Sequence, residues 1–195
     1  MSLNVSAKAF VLCVSGPSGS GKTSLCDRLA DELDFAYRSV SVTTRKQRSR
    51  EVSGRDYVFV SPEDFQRMKS ENHFVETAEV FGNWYGTPRE PLEKALDQGG
   101  IIVMDIDTVG AMNVKAAFSD RCVTVFIEPP SMEELKNRLE QRKQNDSKDL
   151  EKRLEEAKRE LLEVDRYDFS IINRDFDQAY AELKSFVLKQ RLERP

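Results

Sequence analysis

Gly16-Pro17-Ser18-Gly19-Ser20-Gly21-Lys22-Thr23 constrains this chain more than any other stretch. It spells G-x-x-x-x-G-K-[ST] between an apolar run, residues 10–15, and the helical pattern of residues 22–33. The run is continuous rather than alternating, as in a strand covered on both faces, so strand, glycine loop and helix follow in turn. Glycines suit such a loop because successive backbone N–H groups must converge on phosphate oxygens, an approach a Cβ obstructs. The helix N-terminus adds partial positive charge. The loop and the following Ser24 therefore read as a cradle for a nucleoside triphosphate. Lys22 is expected to reach the β- and γ-phosphates, and the Thr23 hydroxyl to ligate Mg2+.

Beyond the loop, apolar runs at 101–104, ending in Asp105, at 122–127 and at 169–172 read as further buried strands. Helical patterns separate them at 109–118, 131–142 (opened by Ser131-x-x-Glu134), 149–164 and 177–190. Alternation of this kind predicts an α/β fold, a P-loop core in which helices flank a parallel sheet. From about 40 to 84 the pattern changes: short runs at 57–60 and 74–80 flank a helix that begins Ser61-Pro62-Glu63-Asp64. An inserted, mainly β subdomain is expected there. The polar segment 143–148 reads as a mobile connection between two charged helices. The 195 residues are expected to form one domain, with a core at about 8–38, 88–128 and 165–195, an insertion at 39–87 and a small helical lid at 132–164.

Composition excludes several classes. Hydrophobic residues at 39% and charged residues at 33% fit a globular chain, and no run approaches the roughly 18 apolar residues of a membrane span. Cys13, Cys26 and Cys122 form neither a C-x-x-C pair nor an even set, so they are read as buried thiols in a cytoplasmic protein. A net charge of −4 argues against nucleic acid as a partner but not against a small anion, because local clusters set the field in a cleft. Two such clusters exist: Arg45, Lys46, Arg48, Arg50 and Arg55, then Arg138, Arg142, Lys143 and Arg153. Either could also be a solvated face.

Asp105, at the carboxyl end of its strand, is placed to meet the metal or its waters, and Asp107 shares its face. Either carboxylate could instead cap the helix at 109–118. The only histidine is His73, and no Ser-His-Asp or Cys-His arrangement is present. A phosphate monoester, were it the acceptor, would need none, because its second pKa near 6 leaves about nine-tenths as the dianion at pH 7. The demand is electrostatic: two polyanions must be aligned and the migrating charge stabilised.

Ser39-Val40-Ser41-Val42-Thr43-Thr44-Arg45-Lys46-Gln47-Arg48 follows the first helix. With Gly54-Arg55-Asp56-Tyr57, Phe74-Val75-Glu76, Gly82-Asn83-Trp84-Tyr85-Gly86-Thr87, Asp105-Ile106-Asp107, Pro129-Pro130-Ser131 and Ile172-Asn173 it makes an ordered set that resembles the guanylate kinase family over nearly the whole chain. The resemblance implies phosphoryl transfer from ATP to GMP with Mg2+. It implies that Arg45, Arg48, Tyr57 and Tyr85 hold the acceptor's phosphate, and that Glu76, Ser41 and Thr87 read guanine, with Asp105 and Asp107 beside the acceptor. It further implies that Arg142 and Arg153, helped by Arg138 and Arg48, serve the transferring group from a lid, and that Asn173 lies at the ATP site.

A carboxylate suits guanine, whose N1–H and exocyclic amine are adjacent donors, whereas adenine offers an acceptor on that edge. The chain departs from the family pattern at Gln47, Ser49-Arg50, Val109, Lys143 to Asp146 and Arg174. A non-catalytic interaction module and a kinase with another acceptor are the alternative readings. Partners are expected to be ATP and GMP, with neither membrane nor nucleic acid, in a monomer or homodimer.

Overall fold

The computed structural model describes residues 8–49, 51–80, 82–141 and 147–193. Five strands form a parallel sheet: β1 (Phe10–Ser15), β2 (Ala36–Arg38), β7 (Ile101–Asp105), β8 (Cys122–Glu128) and β9 (Phe169–Ile172), in the order β2-β7-β1-β8-β9. Central β1 is wholly buried, and its alternate side chains feed two cores. Phe10, Leu12 and Val14 pack toward α1 (Lys22–Glu32) and α7 (Phe176–Glu193). Val11 and Cys13 pack toward α3 (Arg89–Asp97) and α4 (Thr108–Phe118). Burial on both faces is why the run at 10–15 lacks polar alternation.

Strand order reverses around β1, since β7 lies on one side and β8 on the other. In sheets of this kind ligands bind beyond the carboxyl ends of the strands at that reversal. In the register of the sheet Val14 stands beside Asp105, so the end of β1 and the acid ending β7 open on the same space.

A second sheet, β4-β3-β6-β5, joins β3 (Val42–Thr43), β4 (Val58–Phe59), β5 (Phe74–Val80) and β6 (Asn83–Pro88). It has its own small core: Val42, Phe65 and Phe74, with Trp84 and Met68 alongside. Phe65 comes from α2 (Pro62–Ser70), where Ser61 accepts the Asp64 N–H at 3.0 Å and Pro62 occupies the first turn. Its ring stacks on Phe74 with centroids 4.7 Å apart. Burying one such ring contributes about 2–3 kcal/mol, a large share for so small a layer.

A third unit pairs α5 (Met132–Gln141) with α6 (Ser147–Leu161) through Leu135, Leu139 and Ala157. Ser131 caps α5 by accepting the Glu134 N–H at 3.1 Å, while the Glu134 carboxylate turns to Arg138. Residues 143–146 of the expected connection lie outside the described residues, and Ser147 already belongs to α6. Strands β2, β3 and β6 and helix α3 add to the elements expected from sequence, and α6 ends at Leu161, followed by a single 3-10 turn at Val164–Arg166.

Candidate active site

A cleft of about 1090 Å3 runs between the parallel sheet, the four-stranded sheet and α6. One end is the glycine loop. Gly16, Gly19 and Gly21 have φ of 138°, 94° and 94°, and a Cβ on Gly16 would collide with the Ile127 carbonyl. The loop is braced by Asn173, 5% exposed, whose amide donates to the Ser20 carbonyl at 2.7 Å. Lys22 lines the cleft and donates to the Pro17 carbonyl at 3.3 Å.

Beside the loop the Thr23 hydroxyl donates to Asp105 Oδ2 at 2.5 Å, bringing α1 and β7 together through two hard oxygen donors. Asp107 does something different. Its Oδ1 accepts the Gly110 N–H at 2.8 Å, which makes it the N-cap of α4 while it still borders the cleft. The two carboxylates expected on one face therefore divide: Asp105 turns to the Thr23 hydroxyl, and Asp107 caps a helix.

The other end of the cleft belongs to the four-stranded sheet. Glu76 on β5 is 9% exposed and accepts the hydroxyl of fully buried Thr87 at 2.7 Å. Burial pushes its carboxyl up to about 7, only partly offset by the Thr87 hydrogen bonds. Ser41 also lines the cleft. Tyr57 and Tyr85 meet edge to face at 5.9 Å, and burial pushes the Tyr57 phenol up to about 12. The Arg45 guanidinium lies over the Tyr57 ring, 5.3 Å from its centroid, while Arg48 is exposed on the rim.

Helix α6 supplies the third wall. Asp149, Lys152, Arg153, Glu156 and Glu160 face the cleft, positions one helical face provides. Arg153 donates to Asp149 at 2.9 Å and to the Ser18 hydroxyl at 3.2 Å, linking α6 to the glycine loop. Burial pushes the Glu160 carboxyl up to about 7, against the pull of Lys22.

Of the residues expected at the site, Gly16, Ser18, Gly19, Gly21, Lys22, Thr23, Ser24, Ser41, Arg45, Arg48, Tyr57, Glu76, Tyr85, Asp105, Asp107 and Arg153 share this one cleft. Pro17, Ser20, Thr87 and Asn173 stand behind its wall. So does Arg138, tied to Glu134 at 3.0 Å and to the Asn173 carbonyl at 3.1 Å. Arg142 lies outside the described residues, as does Arg50.

Arg38, Glu51, Glu156 and Glu160 reach the cleft without having been singled out for the site from sequence, and Arg55 of the first basic cluster lines it too. For Glu156 and Glu160 the signal was present, since 149, 153, 156 and 160 repeat at helical spacing. Arg38 gave none, being the end of a three-residue strand.

The arrangement can bind two anionic ligands at once, one on backbone N–H groups and Lys22, the other on arginine and phenol groups. The similarity to known proteins extends over nearly the whole chain. The family model for guanylate kinase matches residues 8–190. A guanylate kinase of Wolbachia pipientis is 40% identical over 98% of this chain and 96% of its own, and one of Shewanella denitrificans is 46% identical over 96% and 91%. The crystal structure of guanylate kinase from Anaplasma phagocytophilum superposes with a TM-score of 0.79 at 33% identity, covering 96% of this chain and 88% of its own. This chain belongs to the guanylate kinase family.

Proposed function

We propose that the chain transfers the γ-phosphoryl group of ATP to GMP, giving ADP and GDP by in-line displacement. The observation that carries this reading is a single cleft with Lys22 and Thr23 at one end and Glu76, Arg45, Tyr57 and Tyr85 at the other. ATP lies with its phosphates on the glycine loop. Lys22 neutralises the β,γ-bridge, and Arg153, reaching the loop from α6, meets the migrating group. Arg142 is assigned to the same task on family resemblance.

Thr23 and Asp105 suit Mg2+, a hard cation that arrives on phosphates and takes only one or two protein ligands. When bound, it supplies charge neutralisation on the phosphate oxygens.

At the acceptor end Glu76 accepts from guanine N1–H and the exocyclic amine, with its orientation fixed by Thr87, and Ser41 faces the same pocket. Arg45, Arg48 and the two tyrosines hold the phosphate dianion in line, which needs no general base. Asp107, the cap of α4, borders the same cleft.

Among the described residues no helix is long and apolar enough to cross a membrane. Three free thiols and ATP as donor accord with a cytoplasmic setting. A non-catalytic module has no need of the Lys22, Thr23 and Asp105 constellation, which favours the enzyme. Chromatographic detection of ADP and GDP from Mg-ATP and GMP tests the proposal: the two products form in equal amounts, and ADP release without GDP rejects it.

A further inference from the structure

Glu51, six residues after Arg45 on the 44–57 loop, also faces the cleft, and the two side chains are only 16% and 14% exposed. We propose that Glu51 is a positioning residue for the acceptor's phosphate: it grips one edge of the Arg45 guanidinium so that the adjoining edge meets the phosphate. The inference rests on the reading that GMP binds at this end of the cleft.

The grip is bidentate. Arg45 Nη2 donates to Glu51 Oε1 at 2.7 Å and Nη1 to Oε2 at 3.1 Å, while Nη1 also donates to the Lys46 carbonyl at 2.8 Å. Glu51 is itself held. Its Oε2 accepts the Arg48 N–H at 2.8 Å, and Gln47 Nε2 donates to its carbonyl at 2.6 Å. Rings of Tyr57 and Phe59 flank the guanidinium at 5.3 and 5.7 Å.

A guanidinium has five N–H groups in one plane. Both on Nη1 and one on Nη2 are engaged by Glu51 and Lys46, so Nε–H and the second Nη2–H, which form the neighbouring fork, stay outside that pair. Tyr85 adds its phenol beside the same arginine. Two parallel donors and two phenols match a phosphate's oxygens. Burial would raise the Glu51 carboxyl, yet its bonds to Arg45 and Arg48 hold it below the usual carboxylate range, so it stays ionised through neutral pH. An arginine held in advance also loses less side-chain freedom when ligand arrives.

The opposite role is conceivable for a carboxylate in this position: it could occupy the arginine in the phosphate's stead and be displaced by it. The two roles have opposite signs. Glu51→Gln replaces one accepting oxygen with a donor and breaks the fork. A positioning residue then raises KM for GMP by about tenfold, leaves KM for ATP unchanged and changes kcat by less than about threefold. Guanosine, which lacks the phosphate, binds the variant as tightly as the wild type in calorimetry. Glu51→Asp, which keeps the charge but shortens the reach, falls between the two, and in an Arg45→Lys background the Glu51→Gln effect largely disappears.

A lower KM for GMP identifies a rival to the phosphate and overturns the assignment. Equal weakening of GMP and guanosine identifies a structural prop and overturns it too. Wild-type protein that forms no GDP from GMP instead overturns the function proposed above.

Discussion

On the proposed function, the two ends of the cleft recognise phosphate by different means. At the donor end the loop hangs from β1, buried along its whole length, and its conformation depends on left-handed glycines and on the amide of Asn173. Backbone N–H groups are the donors proposed there, and they would see what every triphosphate shares. At the acceptor end the ligands are side chains held by other side chains, Arg45 by Glu51 and Glu76 by Thr87, on a sheet whose core is little more than Val42, Phe65 and Phe74. Discrimination and sensitivity to pH are therefore expected at the acceptor end, and raw phosphate affinity at the donor end.

Removing charge at the donor end is expected to give the largest effect. Lys22→Ala lowers kcat by about 1000-fold or more, with folding intact because the lysine's hydrogen bond within the protein is to the Pro17 carbonyl. Steady-state ADP release measures it, and a drop confined to KM would place Lys22 in binding alone. Glu76→Gln comes next, lowering kcat/KM for GMP by about 100- to 1000-fold while KM for ATP holds. A matching loss in ATP affinity would break the division between the two ends. Arg153→Ala follows, with kcat reduced by about 10- to 100-fold and GMP binding retained in calorimetry.

The smallest effect is the dependence on pH. Glu76 in the free protein ionises at about 7, because burial disfavours its charge. Guanine needs the carboxylate, so binding releases a proton below that pH. Guanosine affinity then falls about tenfold for each unit below 7 and levels off above it. Glu76→Gln flattens the profile in calorimetry. A profile unchanged in the variant would move the titration to another group, such as Glu160.

How much of this was legible in the sequence divides along the same line. The donor end was, because burial on both faces and a glycine loop before a helix leave a pattern in local sequence. The strand over Phe10–Ser15 matches its expected bounds, and Asp105 ends β7 as anticipated. The fold at the acceptor end was less so. Strand β6 contains Gly86 and Pro88, poor strand formers in isolation, and it exists because β5 pairs along it. Helix α3 carries Pro91 in its first turn, where proline is tolerated yet masks the helical pattern.

The site's supporting pairs obey no spacing rule. Arg45 and Glu51 meet across an irregular loop, and Glu76 and Thr87 meet across antiparallel strands, so only the folded chain discloses them. For the same reason the resemblance, which implies that Arg138 helps the lid arginines, does not disclose its bonds to Glu134 and the Asn173 carbonyl, which hold it away from the cleft lining.

The central claim is that one end of the cleft takes any Mg-triphosphate's phosphates while the other admits guanine through Glu76. Its most direct test is kcat/KM for GMP and for AMP with Mg-ATP in a single ADP-release assay. A preference for GMP of roughly 10⁴-fold is expected, the scale that an unmatched buried hydrogen-bonding group imposes. An AMP value near that for GMP would contradict it.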